Sequence, residues 1–174
     1  MTLLTGQNDY RRRAFTLIEL VFVLALLVIV TSITAPAMSR FIRGRALDSE
    51  ARRLLALTHE AQSRAVSEGL AMMFWVDEKA DSYGFASETS GPTGDPKGEN
   101  LTADATVMIS VLSVGAVAGQ PTTFKNLPAI RFQPDGTIDE SSPQTLKLTD
   151  SDGFSRWLVE NSLRTGYDIT AASP

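Results

Sequence analysis

Residues 11–39 read RRRAFTLIEL VFVLALLVIV TSITAPAMS, and the fold turns on what this stretch is for. From Leu20 to Ser39 there is no charged side chain, and Leu20 to Val30 is apolar without a break. A helix of this length crosses a hydrocarbon core of roughly 30 Å, so a membrane encounter is expected. Arg11, Arg12 and Arg13 precede the run; positive residues stay on the cytoplasmic side, which sends the C-terminal part outward. Arg40, Arg43 and Arg45 on the far side pull against that orientation.

Three uses of the segment compete. An ordinary secretory signal peptide has arginines, an apolar stretch and a small-x-small site such as Ala35-Pro36-Ala37, with cleavage after Ala37. A plain N-terminal anchor needs only the apolar run. Neither explains Glu19, because an ionised side chain in a spanning helix costs about 2.5–3.5 kcal/mol on insertion scales and asks for a partner. The third use does explain it. Arg11-Arg12-Arg13-Ala14-Phe15-Thr16-Leu17-Ile18-Glu19-Leu20 resembles the class III signal of type IV pilins and type II secretion pseudopilins. The resemblance implies that a prepilin peptidase cuts between Ala14 and Phe15 and methylates the new amine of Phe15. It also implies that Glu19 serves assembly, its carboxylate meeting the N-terminal amine of a neighbouring subunit in low dielectric. Ala14 stands where the family usually has Gly, so a small residue is kept.

The remaining composition sets limits. With 174 residues, 43% hydrophobic, and a formal net charge of −4, the chain suits one domain plus one extra apolar element. Loss of residues 1–14 takes three arginines and one aspartate, leaving −6. The positive charge is not gathered into one long block, so bulk electrostatics give no case for nucleic acid. The absence of cysteine excludes disulfides, thiolate metal sites and cysteine nucleophiles, and assigns no compartment.

Beyond Pro36 the pattern becomes amphipathic and helical. Leu47, Ala51, Leu54, Leu55, Ala61 and Ala65 recur at helical spacings, with Arg52, Arg53, Glu60 and Arg64 between them. The spacing predicts a helix to about Ser67, stopped by Glu68-Gly69. From Phe15 it would be a rod of roughly 80 Å, with Pro36 and Gly44 as places to bend. Strands are predicted at 71–76, 83–86, 106–114, 129–133, 144–149, 156–159 and 167–170, with a turn at Pro134-Asp135-Gly136 and an exposed loop over 87–100. The fold class is therefore α+β: a long N-terminal helix, its distal half packed on a small antiparallel β-sheet domain, as in pilins. The expected division is a leader at 1–14, a helix at 15–68 (transmembrane about 15–39, amphipathic 40–68) and a β-rich domain at 69–174.

Residues 129–137, Ala129-Ile130-Arg131-Phe132-Gln133-Pro134-Asp135-Gly136-Thr137, followed by a strand, Trp157-Leu158-Val159 and Thr165-Gly166, are similar to the C-terminal part of H-type minor pseudopilins and related minor pilins. This implies a low-copy, single-pass subunit of the bacterial inner membrane, its C-terminal domain in the periplasm, near the tip of a pseudopilus. Its partners would be prepilin peptidase, other pseudopilin or pilin subunits and inner-membrane lipid. The alternatives are a type IV minor pilin acting in pilus assembly or DNA uptake, and a secreted protein cut after Ala37.

Nothing in the sequence points to an enzyme, a cofactor or a small-molecule substrate. His59 is the only histidine and has no nucleophile–base arrangement around it. Asp77, Glu78 and Asp81, and the loop from Asp95 to Asp104, offer oxygen ligands of the kind calcium takes, but a solvated turn is the better expectation, and no metal site is assigned. Glycines 91, 94 and 98 lack the setting of a phosphate loop. Arg40, Arg43, Arg45, Arg52 and Arg53 could touch lipid heads, DNA or neighbouring subunits; with no matching basic cluster among the strands, DNA is not the expected partner.

Overall fold

The computed structural model describes residues 15–91, 94–114 and 121–174. The leader, with Arg11, Arg12, Arg13 and Ala14, lies outside the described residues, as do the side chains of Pro36, Ala37, Arg40 and Arg43. The chain divides between Ser39 and Arg40 into two units, each taken by itself below.

One helix, α1 (Leu17–Glu68), contributes to both units. Thr16 caps its start, the Thr16 Oγ1 accepting the Glu19 N–H at 3.3 Å. In the first unit, Leu17–Ala35 has a mean hydropathy of 2.7 and none of it is buried. Its few hydroxyls are satisfied within the helix. Thr31 donates to the carbonyl of Leu27 at 2.8 Å, Ser32 to that of Val28 at 2.7 Å and Thr34 to that of Val30 at 2.8 Å, the arrangement a polar group needs in hydrocarbon.

In the second unit α1 buries one stripe: Leu47, Ala51, Leu54, Thr58, Ala61 and Ala65, spaced alternately by four and three. Leu57 is buried beside it and Leu55 is partly buried against the core. Thr58 is the polar member, its hydroxyl donating to the Leu55 carbonyl at 2.7 Å. Three alanines without exposure let the strands approach closely. The helix ends at Glu68, and Gly69 takes φ 65°, where a Cβ would be strained.

The strands are β1 (Met72–Asp77), β2 (Ser82–Ser87), β3 (Glu99–Thr102), β4 (Val107–Val114), β5 (Thr123–Phe124), β6 (Leu127–Phe132), β7 (Pro143–Asp150), β8 (Ser155–Glu160) and β9 (Tyr167–Thr170). They form two antiparallel sheets, ordered β3-β2-β1-β6-β5 and β4-β7-β8-β9. The α+β class expected from the sequence is what the chain adopts, with two sheets where one was expected. Phe74, Tyr83, Phe85, Ile130 and Phe132 of the first sheet and Leu146, Leu148 and Leu158 of the second bury their side chains almost completely in one core with the helix stripe.

The segment 87–100 departs from the exposed loop expected of it. Ser87 belongs to β2 and is buried, and Glu99 and Asn100 open β3, which pairs with β2 through Tyr83↔Leu101 and Phe85↔Glu99. Gly84 makes that pairing possible, because a Cβ there would stand 2.0 Å from the Glu99 carbonyl oxygen. β3 and β5 carry too few apolar residues to announce themselves by alternation.

Candidate assembly helix and its supporting domain

Phe15 and Glu19, the two described residues singled out for processing and assembly, lie at the start of α1, both exposed. Glu19 is the acid of its first turn, where a carboxylate complements the positive end of the helix dipole. With Thr16 accepting the Glu19 N–H, Thr16-x-x-Glu19 also has the form of a capping box. A local role for the acid therefore exists beside the intermolecular one, a point the sequence reading passed over. The rest of the segment is apolar on every side: Leu17 is 81% exposed, Ile18 76% and Ile33 71%. A helix hydrophobic all round is one that lipid or other helices surround.

In the second unit α1 is joined to both sheets by polar contacts. Arg156 of β8 donates to Asp48 at 2.7 Å, and the buried Tyr83 hydroxyl donates to Glu50 at 2.5 Å. Burial, reinforced by the Glu50 carboxylate, pushes the Tyr83 phenol well above its ordinary pKa, so it stays a donor. Gln62 uses its amide nitrogen twice, donating to the carbonyls of Gly136 at 2.6 Å and Thr165 at 2.7 Å. It thereby ties the Pro134-Asp135-Gly136 turn, with Gly136 at φ 85°, and the β8–β9 turn to one point on the helix. Arg64 donates to Glu68 at 3.2 Å, Asp95 at 3.0 Å and the Lys97 carbonyl at 2.8 Å, and lies over the Phe85 ring. This cluster seats the segment before β3. Burial alone would raise the Asp95 carboxyl, but the N–H groups of Ser87 and Lys97 and the Arg64 guanidinium outweigh it and hold the carboxyl below its ordinary value.

The other candidates separate. Asp77 accepts the N–H of Lys79 and Ala80, Glu78 that of Val111, Asp81 that of Ile109, and Asp104 that of Thr106. Glu78 and Asp81 thus bind backbone of another strand, where a solvated turn was expected. Among the described residues no three His, Cys, Asp or Glu side chains are grouped to hold a metal ion. His59 is exposed on α1. Of the five arginines, Arg53 pairs with Glu50 at 3.7 Å and donates to the Thr102 carbonyl, and Asp48 interrupts the charge between Arg45 and Arg52.

The sequence matches the profile of the type II transport protein GspH family over residues 50–163, more than half the chain. The chain belongs to that family. Residues 9–35 separately match the prokaryotic N-terminal methylation motif, so a GspH-type domain follows a prepilin-type N-terminus. No curated protein sequence matches it. Among solved structures, the minor pseudopilin EpsH from the Vibrio cholerae type II secretion system aligns with a TM-score of 0.54 at 12% identity, over 76% of this chain and 98% of that one. A second structure of EpsH gives 0.49 at 14% identity, over 74% and 96%. The likeness in the first is one of fold: this GspH-family member shares its architecture across nearly all of the EpsH chain.

Proposed function

We propose that this chain is a minor pseudopilin of a type II secretion system, processed by prepilin peptidase and assembled through α1 into a periplasmic pseudopilus, near its tip. One observation carries the proposal: a 19-residue apolar span with no buried residue lies within a methylation-motif match and precedes a GspH-type domain. Cleavage falls between Ala14 and Phe15, Phe15 becomes the methylated N-terminus, and the Glu19 carboxylate meets the amine of a neighbour. The leader (1–14), helix (15–68) and β-rich domain (69–174) then have separate duties: addressing, insertion with assembly, and contact outside the bilayer. The span sits once in the inner membrane, with the β-rich domain in the periplasm. Its partners are other pseudopilins and lipid; it performs no catalysis and takes no small-molecule substrate. DNA is not a partner in this reading, in keeping with the engagement of Arg53 within its own domain.

Mass spectrometry of the N-terminus of protein from native membranes tests the proposal. A chain starting at methylated Phe15 is the expected result. A start at Met38 would replace the filament subunit by a secreted protein with an ordinary signal peptide.

A further inference from the structure

The free edge of β4 is closed by acidic side chains from another sheet. β4 pairs with β7 on one side, and at alternate positions its N–H groups turn to the other. The Val107 N–H goes to the Asp104 carbonyl at 2.8 Å, that of Ile109 to Asp81 Oδ1 at 3.2 Å, and that of Val111 to Glu78 Oε1 at 2.5 Å. Asp81 and Glu78 belong to the β1–β2 turn. Asp81 holds φ 44°, a conformation Asp tolerates better than most residues, and its carbonyl accepts the Ala103 N–H at 2.8 Å, so the turn is fixed against the segment that leads into β4.

The strand protected in this way is hazardous. Val107–Val114 reads VMISVLSV, eight residues without a charge, a proline or a glycine, and Met108 and Leu112 expose more than half their surface. Such a segment on an open edge is a template for pairing with another chain. We propose that Glu78 and Asp81 are an intramolecular guard: their carboxylates occupy the β4 donors that the β4 of a second copy would otherwise pair with. A second copy must displace two charge-assisted hydrogen bonds and bring its own two carboxylates against them.

The chain has no cysteine, so single reporters are clean. In full-length protein in detergent, Leu112→Cys reports on the β4 edge and Asp168→Cys on β9 at the opposite side of the sheet, each treated with a flexible bis-maleimide. The guard is removed by Glu78→Ala with Asp81→Gly, glycine taking the positive φ without strain. Cross-linked dimer at 112 should rise severalfold and remain unchanged at 168. Glu78→Gln with Asp81→Asn keeps an acceptor oxygen at each position and should stay near the parent. Should the first pair of substitutions prevent folding, Glu78→Ala alone frees the Val111 N–H and is read the same way. An unchanged yield at 112, or an equal rise at both reporters, overturns the guard.

Discussion

The two halves of α1 differ in composition and meet opposite surroundings. Between Leu17 and Ala35 nothing is buried, whereas between Leu47 and Ala65 every fourth or third residue is. The difference lies in hydrophobicity and in pattern: Leu17–Ala35 carries one charged residue and Leu47–Ala65 six. The first half is apolar on all faces and contains one acid at its start; the second confines its apolar residues to a stripe and shrinks three of them to alanine. A helix of the first kind is satisfied by lipid or by other helices, and one of the second kind needs a single sheet-lined surface. One continuous element thus carries a half left for lipid or other helices and a half buried within its own domain, and substitutions should separate them.

The largest separation is expected at Glu19. If its carboxylate pairs with a neighbour's amine, Glu19→Gln removes one member of a buried charge pair, a loss of about 3–5 kcal/mol in assembly. Gln also serves in a capping box, so helix initiation and insertion stay intact. Cross-linking to partner subunits at equal membrane abundance should fall while cleavage after Ala14 continues. Undiminished cross-linking with normal secretion would leave Glu19 with only its local role at the helix start.

The second half should respond in the opposite sense. Leu54 has no exposure, so Leu54→Ala should destabilise the domain by about 2–5 kcal/mol. Leu24 is 54% exposed, and Leu24→Ala should leave domain stability unchanged. Denaturant unfolding followed by tryptophan fluorescence is selective here, because Trp75 and Trp157 both belong to the second unit. Equal effects of the two substitutions would erase the distinction between the halves.

Gln62→Leu should follow, at about 1–3 kcal/mol, since two carbonyls lose their shared donor, that of Gly136 in a partly buried setting. Gln62→Glu should be no better, as a carboxylate offers those carbonyls no proton. Hydrogen exchange should quicken at both turns together if Gln62 couples them, and at one alone if it does not.

What the sequence disclosed follows the same division. An unbroken apolar run made the membrane span legible, and regular spacing the buried stripe and seven of the nine described strands, because each records a repeating environment along the chain. β3 and β5 escaped because ENLT and TF carry a single apolar residue each, whereas β9, no longer than β3, alternates Tyr167 and Ile169; β3 is recognised only through its pairing with Tyr83 and Phe85. The contacts of Gln62, Arg64, Glu78 and Asp81 escaped for another reason. Apart from Glu68 beside Arg64, the hydrogen-bond partners of these side chains lie 28 to 103 positions away, so their chemistry was visible and their destination was not. For Thr16 and Glu19 the cue was local and present; the intermolecular explanation of the acid simply hid the capping one.

The smallest expected effects are those of pH, and they set two carboxylates of the second unit against each other. The Asp95 carboxyl is held below its ordinary value, so its ionised form is favoured by folding. Its stabilisation is complete above the ordinary Asp range and is lost as pH falls through the depressed folded value. Asp95→Asn should therefore weaken the domain at neutral pH and make its acid limb shallower. Glu160 is the reverse: burial raises its carboxyl, and Arg164, through charge and a 3.3 Å hydrogen bond, only partly offsets this. Its ionised form is disfavoured by folding, a cost present above the raised folded value and gone below the ordinary Glu range. Arg164 has a second partner in Glu140 at 2.9 Å, so Glu160→Gln does not strand the guanidinium. That variant should match or slightly exceed the parent at neutral pH and lose any advantage on acidification, the opposite slope to Asp95→Asn. Urea midpoints of both variants across pH 3–7 give the comparison, and parallel slopes would mean that burial at Glu160 does not outweigh its pairing with Arg164.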